Sequence, residues 1–264
     1  MIEMTMKAIR TEIASSKGDL STVIHYPKHE TERLAILCPG YLDSKDYKHL
    51  VNLAEVLSKQ GYTTVRFEPT GTWESEGDIS DYTVTQYLED IKNILEYMLR
   101  QSKYKYILLG GHSRGGQVSI LYAARDQRIS LVLGIMPSSG PITGQRRKEW
   151  GKTGVSVFQR DLPSDKEKKI EFRVPFRHVL DRDQYDAVRD AKKIRSPIIL
   201  IAGELDDLVA PNDVKKIFDN SNEPKKFLVI SGIGHDYRHN DSEVAMVNRR
   251  ILEQLKSIQI GKQF

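Results

Sequence analysis

Between residues 33 and 258 the chain alternates short apolar runs with helically spaced apolar positions, and no other feature restricts the fold as much. Leu34-Ala35-Ile36-Leu37-Cys38 is apolar throughout and stops at Pro39-Gly40, as a strand buried on both faces does. Residues 46–60 then set Leu50, Leu53, Ala54 and Leu57 on one helical face and stop at Gly61. The pairing recurs with a strand over 62–67 and a helix over 81–101, a strand over 105–109 and a helix over 117–124, and a strand over 129–136. It resumes with a strand at 197–202, a helix at 211–219, a strand at 226–231 and a helix at 243–258. That order implies parallel strands joined by right-handed crossovers, with helices on both faces of one sheet. Upstream, KAIRTEIA and STVIHYP flank Lys17-Gly18-Asp19 and predict a hairpin over residues 7–26. The sum is an α/β fold with a mostly parallel eight-stranded sheet.

Residues 141–196 interrupt the rhythm. The whole chain of 264 residues has a net charge of +4, but this segment alone holds fifteen Lys and Arg against nine Asp and Glu. Its balance is +6, which leaves −2 on the rest. Acids are interleaved with the bases and no recognition motif accompanies them, so a nucleic-acid partner is not expected. The single cysteine excludes a disulfide scaffold, and no apolar run approaches a membrane span. The opening MIEMTMKAIRTE has no apolar stretch of the signal-peptide kind, so the expected compartment is the cytoplasm.

In sheets of this kind reactive groups gather in loops at the carboxyl ends of the strands. The sharpest such loop is Gly111-His112-Ser113-Arg114-Gly115-Gly116, between a strand and a helix. A serine at the apex of a tight strand-to-helix turn needs small residues two positions away on either side. The turn lifts Oγ above the sheet edge and aims the first helical N–H groups at the same space. Serine is a weak nucleophile without a base. The loops after two later strands supply candidates, Gly203-Glu204-Leu205-Asp206-Asp207 and Gly232-Ile233-Gly234-His235-Asp236. Ser113, an acid at 206 or 207, and His235 succeed one another in the order serine, acid, histidine. Spacing from the strand does not separate Asp206 from Asp207.

With these residues in place the chain resembles the α/β-hydrolase superfamily, in particular small carboxylesterases of the cinnamoyl or feruloyl esterase kind and related serine peptidases. The likeness rests on Cys38-Pro39-Gly40-Tyr41, on the loop from Arg66 to Gly77, on GHSRGG, and on GELDD and GIGHD. It implies a catalytic triad of Ser113, Asp206 and His235, because the family's acid stands three residues after the loop glycine. It implies an oxyanion hole from the backbone N–H groups of Tyr41 and Arg114. It also implies a core of residues 1–140 and 197–264 with a cap over 141–196. Read from its residues, that segment is either a solvated face over a small satellite core or a lid with a basic rim and an aromatic underside that favours an aromatic or anionic substrate; in the second case Trp150, Phe158, Phe172 and Phe176 are expected to touch substrate.

The expected chemistry is hydrolysis of carboxylic esters with no cofactor. A thioesterase or small peptidase stays open because the elbow does not encode the leaving group, and so does a non-catalytic binding module of the same fold. Cys38, Glu68 and Trp73 depart from the family's usual residues. Cys38 ends a buried strand and reads as a core thiol. The spacings His25/His29 and His235/His239 lack a completing ligand, so no metal is expected. No phosphate loop or dinucleotide fingerprint is present.

Overall fold

The structure is a computed structural model and describes residues 7–260; residues 1–6, part of the segment read for a leader, lie outside it. The hairpin forms as β1 (Lys7–Ser15) and β2 (Gly18–Tyr26), closed so that Ser15 faces Gly18. Then come β3 (Arg33–Cys38), α1 (Lys48–Lys59), β4 (Thr63–Phe67) and α2 (Val84–Gln101). Next are β5 (Tyr106–His112), α3 (Arg114–Ala123) and β6 (Leu131–Ile135). The interruption holds α4 (Gly144–Thr153), β7 (Val155–Leu162), β8 (Asp165–Pro175), α5 (Arg177–Arg182) and α6 (Ala187–Ala191). The chain closes with β9 (Ile198–Gly203), α7 (Pro211–Asn220), β10 (Lys225–Ile230) and α8 (Asp241–Ile260).

Eight strands make one sheet in the order β1-β2-β4-β3-β5-β6-β9-β10. Only the β1–β2 and β2–β4 pairs are antiparallel. The continuous apolar runs feed two cores, because successive side chains of a strand leave on opposite faces. Leu34, Ile36 and Cys38 of β3 join Ile91, Leu95 and Met98 of α2, whereas Ala35 and Leu37 meet Leu50, Leu53 and Leu57 of α1. The β9 strand splits likewise, with Ile198 and Leu200 on the first face and Ile199 and Ile201 on the second. The first core lies under α2, α3 and α7, the second under α1 and α8.

Residues 155–175 form a separate two-stranded antiparallel sheet that the apolar spacing of 141–196 does not predict. It pairs Phe158 with Phe172 and extends the first core outward, where Phe172 packs on Trp73 and the Trp150 ring stacks on His178 at 5.8 Å. Before residue 196 the chain has returned to the main body. The α6 helix packs against α3 and α7, and Ala187 donates its N–H to Ser139 O at 2.8 Å. The hairpin's far end is tied down as well: Tyr47 Oη donates to Asp161 O at 2.8 Å.

Candidate active site

The β5 strand ends at His112 and α3 starts at Arg114, leaving Ser113 alone on the turn with φ 53° and ψ −114°. The helix starts three residues earlier than its apolar spacing suggests, because the elbow feeds straight into it. A left-handed backbone costs an L-residue about 1–2 kcal/mol, so the surroundings must enforce it. They do so through closeness. A Cβ on Gly115 would lie 1.9 Å from Cys38 O, and one on Gly111 would lie 2.2 Å from the same oxygen. Only glycine lets α3 press onto β3 there. Ser113 N donates to Ile135 O at 2.9 Å and fixes the turn against β6.

The loops after β9 and β10 converge on this serine. Asp206 Oδ1 accepts from the N–H groups of Leu208 at 3.0 Å and Val209 at 2.7 Å. Its Oδ2 lies 2.7 Å from His235 Nδ1. A carboxylate so held only accepts, so His235 donates from Nδ1 and presents Nε2 as an acceptor. That Nε2 stands 2.9 Å from Ser113 Oγ. Asp206 is buried, while Asp207 points to solvent at the cavity mouth. Of the two acids that spacing leaves open, Asp206 is the one joined to the histidine.

Tyr41 and Arg114 both line the cavity in front of Ser113. Arg114 is the first residue of α3, where backbone N–H groups have no intrahelical acceptor. The loop bearing Tyr41 is braced from several sides. Tyr87 Oη donates to Pro39 O at 2.9 Å, and Leu42 N donates to Tyr82 Oη at 3.1 Å. Arg160 Nη2 donates to Tyr41 O at 2.5 Å.

The residues that depart from the family pattern belong to this bracing. Trp73 takes a φ of 50°, a backbone shape that favours glycine, and donates from Nε1 to Leu42 O at 3.0 Å. Glu68 is buried against Ser44 and Lys45 at 2.7 and 3.1 Å, and burial pushes its carboxyl up. Cys38 is fully buried and its thiol is pushed up to about 12 by that burial.

The cavity holds about 740 Å³, within the range of small-molecule sites. Of the four aromatic residues expected to touch substrate, Phe158 lines it. Trp150, Phe172 and Phe176 do not. Trp150 is 2 % exposed and its Nε1 donates to Val174 O at 3.0 Å; Phe172 packs on Trp73; Phe176 lies over Gly151. Trp150 and Phe172 carry the first core out over the hairpin, and Phe176 packs against it, so none of the three is free to face the cavity. Arg114, whose backbone the family likeness assigns to the oxyanion hole, lines the cavity together with Arg146, Arg160 and Arg182 of the basic segment 141–196 and with Arg238.

Sequence reasoning also misses a buried group behind His235. Asp43, His49 and His112 each bring a ligand atom within 4.8 Å of the others, a set that could hold a metal ion. Burial pulls His49 down to about 3 and His112 below its usual value, so both imidazoles are neutral. Burial opposes the charge on Asp43, but His112 at 3.8 Å together with Arg160 and Arg238 keeps its carboxyl well below the usual range. The His112 ring centre lies 4.7 Å from that of His235, so this group backs the histidine directly. Neither of the two histidine pairs spaced four apart in the sequence is part of it. His25 accepts from Arg66 Nε at 3.0 Å, and His239 lies near Asp161 and Asp236.

A strand-fed serine elbow with a histidine and an acid at two later strand ends defines a hydrolase-type α/β site. The family model described as alpha/beta hydrolase fold matches residues 35–191, and the chain belongs to that family. It is similar to the mitochondrial palmitoyl-protein thioesterase ABHD10 of Mus musculus, 24 % identical over 178 residues, 66 % of this chain. The match spans 59 % of that relative's length. An uncharacterised 31.7 kDa protein of Escherichia coli is 25 % identical over 70 % of this chain and 77 % of its own. Among solved structures, Est1E of Butyrivibrio proteoclasticus with bound ferulic acid superimposes with a TM-score of 0.76 at 21 % identity, covering 96 % of this chain and all of its own. The α/β hydrolase GrgF of Penicillium sp. sh18 gives 0.78 at 19 % identity, covering 93 % and 96 %. At such identities the likeness speaks for the fold. Among the described residues no helix is long and apolar enough to cross a membrane.

Proposed function

We propose that the protein is a serine hydrolase of carboxylic esters and thioesters that works through an acyl-enzyme on Ser113. The supporting observation is the run of hydrogen-bond distances from Asp206 through His235 to Ser113, 2.7 and 2.9 Å, with the serine forced into a left-handed turn. Ser113 Oγ attacks the acyl carbon as His235 Nε2 takes its proton. The backbone N–H groups of Tyr41 and Arg114 receive the negative oxygen. His235 returns the proton to the leaving oxygen or sulfur, and water then releases the acid through the same base. Asp206 keeps the imidazole in the tautomer that can accept. Each oxyanion donor fixed in advance is worth about 3 kcal/mol in the transition state.

Residues 141–196 act as the cap in this reading, with the β7–β8 hairpin bringing Phe158 and Arg160 to the cavity. A thioester is the favoured alternative to an oxygen ester because the mouse relative is named a palmitoyl-protein thioesterase. The test is labelling by a fluorophosphonate probe alongside hydrolysis of p-nitrophenyl butyrate and of an acyl-coenzyme A. Wild type should react with the probe and turn over at least one substrate, and Ser113→Ala should do neither. Equal behaviour of the two proteins would refute the assignment.

A further inference from the structure

Several arginines outside the cavity have carboxylate partners, as Arg128 has Asp126 and Glu96, and Arg147 has Asp183. In the cavity, Arg114, Arg146 and Arg182 have none within ion-pair distance among the described residues. The Arg114 side chain is 2 % exposed. Its nearest polar partner is His178, kept neutral by burial, whose Nε2 lies 3.3 Å from Nη2 while Nδ1 donates to Tyr82 O at 2.8 Å. The Nε groups of Arg114 and Arg182 and the hydroxyl of Tyr41 are buried without a hydrogen-bond partner. Arg114 stands 5.3 Å over the Tyr41 ring, Arg146 lies 5.2 Å from the Phe158 ring, and those two rings are 5.2 Å apart.

Three cations therefore surround one aromatic patch at one end of the cavity. Burial drives the Arg182 guanidinium well below its usual range, and the charges of Arg114 and Arg146 push the same way. Arg114 is lowered as well, by burial first. Guanidinium does not give up its proton in practice, so the cost stays as unanswered positive charge.

The nearby acids are engaged elsewhere. Asp181, the acid that acts on Arg114, accepts from Val84 N and Thr85 N at 2.8 and 3.1 Å. Asp43 faces His112, Arg160 and Arg238, and Asp236 pairs with Arg238. Asp207 stands at the mouth on a different loop. The cavity wall carries five arginines against three aspartates.

We propose that this end of the cavity receives a carboxylate carried by the substrate, held by Arg114, Arg146, Arg182 and the hydroxyl of Tyr41. The substrate class is then an ester or thioester with a second, free carboxylate. This deepens the hydrolase reading and rests on it for the chemistry, but not for the binding. Guanidinium forks match the two oxygens of a carboxylate, and a buried hydroxyl left without an acceptor gains one. Phe158 and Tyr41 supply apolar walls for the chain between the two acyl ends.

The binding test needs no turnover. Ser113→Ala protein is titrated calorimetrically with monomethyl adipate, a monoanion, and with neutral dimethyl adipate. The monoanion should bind at least about tenfold more tightly, the size of one charge-assisted hydrogen bond. Adding Arg182→Met should remove at least that factor. Adding Arg146→Met, at an exposed position, should lower it in the same direction, with a thermal melt to show that the variant folds. Equal binding of the two esters, or no change in the arginine variants, overturns the proposal.

A kinetic arm reports which side of the ester carries the charge. Mono-p-nitrophenyl adipate is compared with p-nitrophenyl hexanoate, and 4-carboxyphenyl hexanoate with phenyl hexanoate. A preference for the charged member of the first pair assigns the carboxylate to the acyl side, and of the second to the leaving-group side; no preference in either overturns the proposal. Absence of all turnover and of fluorophosphonate labelling strikes the hydrolase reading, while the calorimetric result still decides the carboxylate site.

Discussion

Replacing Asp206 by Asn removes one charge at nearly constant volume, and the local hydrogen bonds decide how much activity that costs. Oδ1 accepts from two backbone N–H groups, those of Leu208 and Val209. Asparagine keeps both bonds only if its carbonyl oxygen occupies that place, which turns its NH₂ toward His235 Nδ1. The imidazole must then accept at Nδ1 and carry its proton on Nε2, 2.9 Å from Ser113 Oγ. Two donors would face each other where a base is needed. Flipping the amide restores the working tautomer but sets NH₂ against two N–H groups. Each such unsatisfied donor costs about 1–3 kcal/mol, so the productive state lies about 2–6 kcal/mol uphill. At 1.36 kcal/mol per tenfold, the expected loss in kcat/KM runs from about 30-fold to about 3 × 10⁴-fold. The assay is p-nitrophenyl butyrate hydrolysis at pH 8, with Ser113→Ala as the floor and thermal melts to show that each variant folds. Asp207→Asn should lose far less, because its exposed side chain does not touch His235. If Asp206→Asn keeps more than about a third of the activity, or if Asp207→Asn falls as far, the tautomer reasoning is wrong.

Gly115→Ala should destabilise the fold and the site together. Its Cβ would sit 1.9 Å from Cys38 O, and overpacking of that kind costs about 1–3 kcal/mol or more. A melting temperature within about 2 °C of wild type would contradict the contact. The Cys38 thiol, pushed up to about 12 by burial, should be silent to Ellman's reagent in the native protein and titrate as one thiol per chain in urea; native reaction within minutes would contradict its burial. Burial, with Arg66, lowers His25 from 6.5 to about 4. The unfolded chain therefore binds the extra proton first, and stability falls as pH drops through 6.5 toward 4 and levels below. His25→Gln should flatten that part of the urea-midpoint profile against pH; parallel profiles for the two proteins would show that His25 does not contribute.

Much of the architecture was legible because the sheet is buried on both faces. Runs such as Leu34–Cys38 and Ile198–Ala202 could belong only to central strands, and each ended where a loop had to stand. Much of the candidate site came with that order, since Ser113 and His235 stand in loops just past strands, whereas the strand's end left Asp206 and Asp207 open and only the family likeness chose between them. The β7–β8 hairpin was harder to see. Its alternation is real, but charges occupy both faces along Asp165–Glu171, so no apolar stripe marks it. The aromatic residues of 141–196 misled for a related reason. The hairpin is held by extending the first core outward, and Trp150 and Phe172 make that contact. Asp43 and His49 became neighbours of His112 only through the packing of α1 against the loops. No local pattern records such a meeting.

Asp161 ties the hairpin to parts of the protein far from it in sequence. Its backbone oxygen receives Tyr47 and its carboxylate receives Arg238 at 2.8 Å, three residues beyond His235. The hairpin therefore cannot be treated as an interchangeable module. Grafting another hairpin between β6 and β9 would cut an anchor of the histidine loop unless Tyr47, Asp161 and Arg238 travelled together. On the proposed function, substrate range and catalytic alignment would be inherited as one linked set. A chimera that keeps the trio should stay active with a changed substrate range, whereas one that breaks it should lose alignment before it gains any new specificity.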